Sequence, residues 1–172
     1  IVVGTTGFSP AERARAETLA RKTRAVIAPN MSVGVTVLER LVATAARALG
    51  SGFDVEIVEV HHRLKRDAPS GTALRLGEVA AEAQGSPLTG RARFGREGEL
   101  GPRSDAEIGI LGMRGGDAVG DHTVYFLGTG ERLELTHRAQ SRDCLARGAL
   151  RAALWLADQA PGLYGMRNVL GL

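Results

Sequence analysis

The sequence predicts a mixed α/β chain in two parts: the tail of a doubly wound, parallel-sheet domain, and an α+β domain inserted into it. Three observations carry this prediction. The first thirty residues read strand, helix, strand, the unit of a parallel sheet with helical crossovers. The middle alternates helical periodicity with strand-like runs and then turns wholly to strands. A closing helix returns the chain to the first part. Residues 1–32 and 142–172 are assigned to the first domain and residues 33–141 to the second.

Ile1-Val2-Val3-Gly4 is a β-branched strand ending in a Gly-Thr-Thr-Gly turn. A buried strand of this kind needs neighbours on both sides, so the chain is expected to begin inside a domain. Ser9, Pro10 and Glu12 supply an N-cap, a first-turn proline and a capping-box acid for a helix to about residue 22. Residues 25–28 form a second short strand, stopped by Pro29. From Val33 to about residue 49 the apolar residues Val33, Val37, Leu38, Leu41, Val42 and Ala45 recur at helical spacing. Residues 53–60 are strongly β-prone. Residues 71–83 are helical, with Ser70 as cap. Residues 85–105, rich in Gly, Pro and Arg without a period, form a long loop, in which 98–101 is a candidate lid. Strands follow at 106–113, 118–127 and 132–139, the first two joined by the hairpin signal Arg114-Gly115-Gly116-Asp117. In the third, Leu133, Leu135 and His137 share one face. A last helix from 143 to about 160 offers Leu150, Leu154 and Trp155 to the core, and Pro161-Gly162 stops it.

With 44% hydrophobic residues among 172, the chain can bury one good core or two small ones. Its 23 glycines favour tight turns over a simple bundle. The net charge of +3 admits an anionic partner. The cations are interleaved with acids and form no arm or aromatic platform, which argues for small acidic ligands and against nucleic acid. The single cysteine, Cys144, precludes an intrachain disulfide and fits a reducing compartment. No apolar run reaches the ~20 residues that span a bilayer, so a cytoplasmic protein with no membrane partner is expected.

The chemistry concentrates between Glu59 and Ala73. His61-His62-Arg63-Leu64-Lys65-Arg66 packs two imidazoles and three cations into six residues, then enters a helix through Ser70-Gly71-Thr72. A helix N-terminus offers unpaired N–H groups to carboxylate or phosphate; Gly71 permits close approach, and Thr72 adds a hydroxyl. Imidazole exchanges protons near neutrality, which suits His61 for acid–base work. The same residues also fit a solvated basic loop before an ordinary helix start. A metal site fits less well, since the only thiol is remote and adjacent histidines on extended chain point apart. His122 and His137, on strands, read as structural histidines, and Cys144 lacks a nearby histidine in sequence to activate it.

The string from His61 to Ala73 closely resembles the signature of the dihydrodipicolinate reductases, E-x-H-H-x-x-K-x-D-A-P-S-G-T-A. The resemblance extends over essentially the whole chain, through Gly4-Thr5-Thr6-Gly7-Phe8, Ala28-Pro29-Asn30-Met31-Ser32, Arg114-Gly115-Gly116-Asp117, Gly130-Glu131-Arg132-Leu133 and Met166-Arg167-Asn168-Val169-Leu170. It implies a Rossmann-like remnant plus an α+β substrate and oligomerisation domain with a mixed sheet. It also implies reduction of a cyclic imine dicarboxylate to tetrahydrodipicolinate with NADH or NADPH, in lysine and diaminopimelate biosynthesis, by a homotetramer. His61 is then the acid/base and Lys65 the second proton donor. His62, Gly71 and Thr72 bind substrate carboxylates. Gly4, Thr5, Thr6, Ala28, Pro29, Asn30 and Met31 contact the cofactor; Met31 stands where the family often has Phe. No G-x-G-x-x-G loop occurs in these residues. Two rivals therefore stay open: a non-catalytic dicarboxylate-binding or assembly fragment, and a related reductase of another imino or keto acid.

Overall fold

The computed structural model describes residues 1–5 and 7–172. In chain order it contains β1 (Val2–Val3), α1 (Pro10–Ala20), β2 (Arg24–Ile27), α2 (Val33–Leu49), β3 (Asp54–His61) and α3 (Gly71–Ala83). There follow β4 (Ala92–Arg93), β5 (Ile108–Arg114), β6 (Gly120–Leu127), β7 (Arg132–Ala139), α4 (Asp143–Leu156), β8 (Gly162–Tyr164) and α5 (Met166–Leu170). The chain divides into two compact units, Ile1–Thr36 with Ser141–Leu172, and Val37–Gln140.

The first unit is a parallel three-stranded sheet in the order β1-β2-β8. Helix α1 begins as its sequence dictates: the Ser9 hydroxyl accepts from the Glu12 N–H, and the Glu12 carboxylate accepts from the Ser9 N–H at 2.8 Å. The core gathers Val26, Ala28, Met31, Ala152, Leu156, Met166 and Val169. The expected core residues Leu150 and Leu154 are instead 64% and 77% exposed. The buried face of α4 runs through Gly148, Ala152 and Leu156, because the backbone of Met31 lies against it. A Cβ at Gly148 would sit 1.8 Å from the Met31 carbonyl oxygen, so close contact selects small residues where a hydrophobicity reading selects leucine. The helix ends at Leu156, before Pro161-Gly162, and the chain then adds β8, which starts at Gly162, and α5.

The second unit is a five-stranded mixed sheet in the order β4-β5-β3-β6-β7. The predicted hairpin at residues 114–117 does not form. β3 lies between β5 and β6, parallel to the first and antiparallel to the second, and among the described residues the only consecutive antiparallel partners are β6 and β7. The Arg114–Asp117 turn crosses the end of β3 instead: His62 and Arg63 donate their N–H groups to the carbonyls of Ala118 and Gly116, and Gly115 donates to His61. These long-range bonds satisfy the backbone that a two-stranded turn would otherwise have closed on itself.

One sheet face is covered. Val55 and Ile57 of β3, Ile108 and Ile110 of β5, and Val124 and Phe126 of β6 pack with Leu38, Val42 and Ala46 of α2 and with Leu76, Val79 and Ala80 of α3. Val37 and Leu41, expected on the buried stripe of α2, are 39% and 49% exposed. The opposite face carries Val58, Val60, Leu111, Met113 and Tyr125, with Met113 56% exposed. The long loop is strapped to the start of the central strand β3 rather than loose. Arg103 donates to Asp54 at 2.7 Å, to Glu56 at 3.1 Å and to the carbonyls of Val55 and Glu107, while Arg96 grips both oxygens of Glu56 and also meets Glu107.

Candidate active site

β3 alternates its side chains, and this places Glu59 and His61 on the helix-covered face at the strand's C-terminal end. Glu59 is fully buried. Its Oε2 accepts from His61 Nδ1 at 2.6 Å and from Arg114 Nη1 at 2.8 Å; its Oε1 accepts from Arg114 Nη2 at 2.7 Å and from the Ser70 N–H at 3.0 Å. Burial pushes this carboxyl's pKa up, but the hydrogen bonds from Arg114, His61 and Ser70 and the charge of His61 together hold it below the usual carboxylate range. Glu59 is therefore an anion, and the ring nitrogen facing it is the donor. Gly112 makes room for the pair, since a Cβ there would lie 2.9 Å from Glu59 Oε1.

Ser70 opens α3. Its hydroxyl accepts from the Ala73 N–H at 3.2 Å and meets His122 Nε2 at 3.0 Å. His122 is buried, its ring set edge-on to that of His61 with centroids 5.2 Å apart. Burial first, and the neighbouring His61 second, lower its pKa to about 4, so it stays neutral at physiological pH. His122 Nδ1 and Arg114 Nε are buried without a hydrogen-bond partner among the described residues.

Lys65 reaches Asp67 through both carboxylate oxygens, at 2.8 and 2.9 Å, and this contact is the main reason the Asp67 pKa is lowered. The Asp67 carbonyl accepts from Arg114 Nη2 at 2.7 Å. The structure thus brings His61, the Lys65 loop and the start of α3 into one network with Glu59 and Arg114 at its centre. His62 is half-buried next to His61, Gly71 is exposed at the helix tip, and Thr72 is half-buried beside it. Glu59, Arg114, Ser70 and His122 were not singled out from sequence as site residues. Alternation along β3 places Glu59 beside His61, but nothing local connects Arg114 to residue 59.

Of the residues assigned to a cofactor, Gly4 and Thr5 follow β1, and Ala28, Pro29 and Asn30 follow β2, at the C-terminal ends of parallel strands. Met31 and Ala28 are buried, and the Met31 side chain packs on Gly4, where a Cβ would lie 3.2 Å from its Cγ. The Asn30 side chain accepts from the Ser32 N–H at 2.9 Å. Thr6 lies outside the described residues. No group of three or more potential metal ligands occurs among the described residues, and no described helix is long and apolar enough to cross a membrane.

The family profile described as "Dihydrodipicolinate reductase, C-terminus" matches residues 34–170, and that described as "Dihydrodipicolinate reductase, N-terminus" matches residues 1–31. Curated 4-hydroxy-tetrahydrodipicolinate reductases of Syntrophotalea carbinolica and Geobacter sulfurreducens are each 58% identical to the chain over all 172 of its residues. The chain spans 64% and 65% of their respective lengths. Among solved structures, a dipicolinate-bound dihydrodipicolinate reductase from Paenisporosarcina sp. TG-14 superposes with a TM-score of 0.71 at 28% identity, covering 97% of this chain and 63% of that one.

Proposed function

The chain belongs to the dihydrodipicolinate reductase family, and from that premise we propose that it carries the substrate site and part of the cofactor site of an NAD(P)H-dependent reductase. The reaction is reduction of 4-hydroxy-tetrahydrodipicolinate or dihydrodipicolinate to tetrahydrodipicolinate, in diaminopimelate and lysine biosynthesis. The observation that carries the reading is the joining of His61, the Lys65 loop and the α3 N-terminus by the buried Glu59 and its half-buried partner Arg114.

A planar dicarboxylate needs donors and positive potential. The N–H groups of Gly71 and Thr72 at the tip of a 13-residue helix supply both for one carboxylate, and His62 adds a further donor. Lys65 is held ready on Asp67 and exchanges that exposed carboxylate for the substrate's. His61 delivers or receives the proton that accompanies reduction, and Lys65 is the second proton donor. Gly4, Thr5, Thr6, Ala28, Pro29, Asn30 and Met31 would hold the nicotinamide half of NADH or NADPH. The described members of this set fit that role, because they cluster at the carboxyl ends of parallel strands, where α/β sheets receive dinucleotides. The cofactor, when bound, supplies hydride. The assembly is a cytoplasmic homotetramer formed through the open face of the five-stranded sheet, whose apolar side chains support such an interface.

Calorimetric titration with pyridine-2,6-dicarboxylate, with and without NADH or NADPH, tests the reading. Binding that disappears in Lys65→Ala is expected. Binding that persists undiminished in that variant moves the dicarboxylate elsewhere.

A further inference from the structure

Glu59 occupies a position where strand packing calls for an aliphatic residue: it follows Val55 and Ile57 on the covered face of the central strand and is as buried as they are. A buried carboxylate is tolerated only when its lone pairs are used. Here all four hydrogen bonds are made, two by one guanidinium, one by the helix-start N–H of Ser70 and one by His61. The arrangement of these four donors is informative. Arg114 already neutralises the anion, so the contact to His61 is not needed as its counter-charge. What that contact does is orient the ring.

We infer that Glu59 is the positioning residue of this site: its carboxylate holds His61 as the Nδ1–H tautomer and leaves Nε2 as the atom that exchanges the proton, while Arg114 locks the carboxylate to the loop bearing Lys65. Three details agree. Nε2 has no hydrogen-bond partner among the described residues and lies over Gly120, where a Cβ would come within 2.9 Å of it. Gly120 therefore keeps space for the ring. His122, neutral and packed edge-on against the His61 ring, braces it without adding a competing charge. The Arg114 fork reaches Glu59 with both terminal nitrogens and the Asp67 carbonyl with one of them, so the histidine and the lysine loop share one anchor. When an imidazolium gives up the Nε2 proton, the ring returns to the Nδ1–H form and Glu59 stays ionised throughout, as an orienting group must.

The inference rests on the proposed reductase reading for what receives the proton, but its geometry can be tested without turnover. Nitrogen-15 correlation spectra of the imidazoles, in a chain with only four histidines, report which nitrogen of His61 carries the proton. The wild-type ring is expected in the Nδ1–H form. In Glu59→Gln the amide cannot accept from all the donors around it; its NH₂ turns to His61, the Nε2–H form gains population, and affinity for pyridine-2,6-dicarboxylate falls about tenfold. Arg114→Lys keeps the charge but loses the fork, and is expected to mix the tautomers in the same direction. A folded Glu59→Gln protein with His61 still wholly Nδ1–H overturns the inference. Should that variant not fold, an unchanged tautomer in Arg114→Lys overturns it equally. A wild-type protein with a single Nδ1–H tautomer and no dicarboxylate affinity supports the positioning role and overturns the substrate reading alone.

Discussion

His122 shows how burial sets the behaviour of one residue. Folded, its pKa is about 4; unfolded, it returns towards 6.5. Between these values the unfolded chain binds a proton that the folded chain refuses. Stability from this group is therefore complete above pH 6.5, is lost as pH falls towards 4, and levels off below. The loss is on the order of 3 kcal/mol at most. His137, lowered mainly by its own burial, acts in the same sense; Glu59, opposite His122 on β3, opposes it, and His61 and Lys65 reinforce it. Urea unfolding from pH 7.5 to 4 should show a steep decline that is flattened in His122→Gln, which keeps a partner for Ser70. An equally steep profile in that variant would assign the decline to other groups. The imidazoles at 61 and 62 and the ammonium at 65 were legible as chemistry because residue type announces it. Glu59 opens the same signature, but its role was not legible, because an acid in a strand reads as surface until its burial is known.

Elements were most legible where their determinants are local. Ser9 and Glu12 close a capping box three residues apart, and Ser70 caps α3 within its own turn, so both helix starts follow from the sequence. Helix faces were less legible. α4 turns Gly148 and Ala152 inward and leaves Leu150 and Leu154 outside, since its packing distance is set by the Met31 backbone. This gives a sharp expectation. Gly148→Ala forces a methyl to within 1.8 Å of a carbonyl oxygen, and should destabilise the first unit by about 3 kcal/mol. Leu154→Ala, on the exposed side, should change stability by about 0.5 kcal/mol or less. Chemical denaturation of the two variants side by side checks the ranking, and equal midpoints would refute it. The Arg114–Asp117 turn is the complementary case: its glycines mark a reversal, but the strand it passes over lies more than fifty residues earlier.

At the scale of the whole molecule, the second unit covers one sheet face with two helices and leaves Met113 and its apolar neighbours on the other. A tetramer assembled through that face should weaken when Met113 becomes Lys, since a desolvated ammonium has no counter-ion placed for it. Sedimentation velocity is expected to show smaller species for Met113→Lys with the fold retained by circular dichroism; an unchanged distribution would place the interface elsewhere. The sequence by itself determined the family, the two-part α/β organisation, the helix starts and the residue types that carry proton chemistry, because each is written in neighbouring residues or in a contiguous signature. Only the tertiary structure decided that β3 separates β5 from β6, which helix faces are inside, and that Arg114 clasps Glu59 beneath His61. These are contacts between segments far apart in the chain, selected by which packing pairs the backbone and the buried charges of distant segments, and no local pattern encodes that choice.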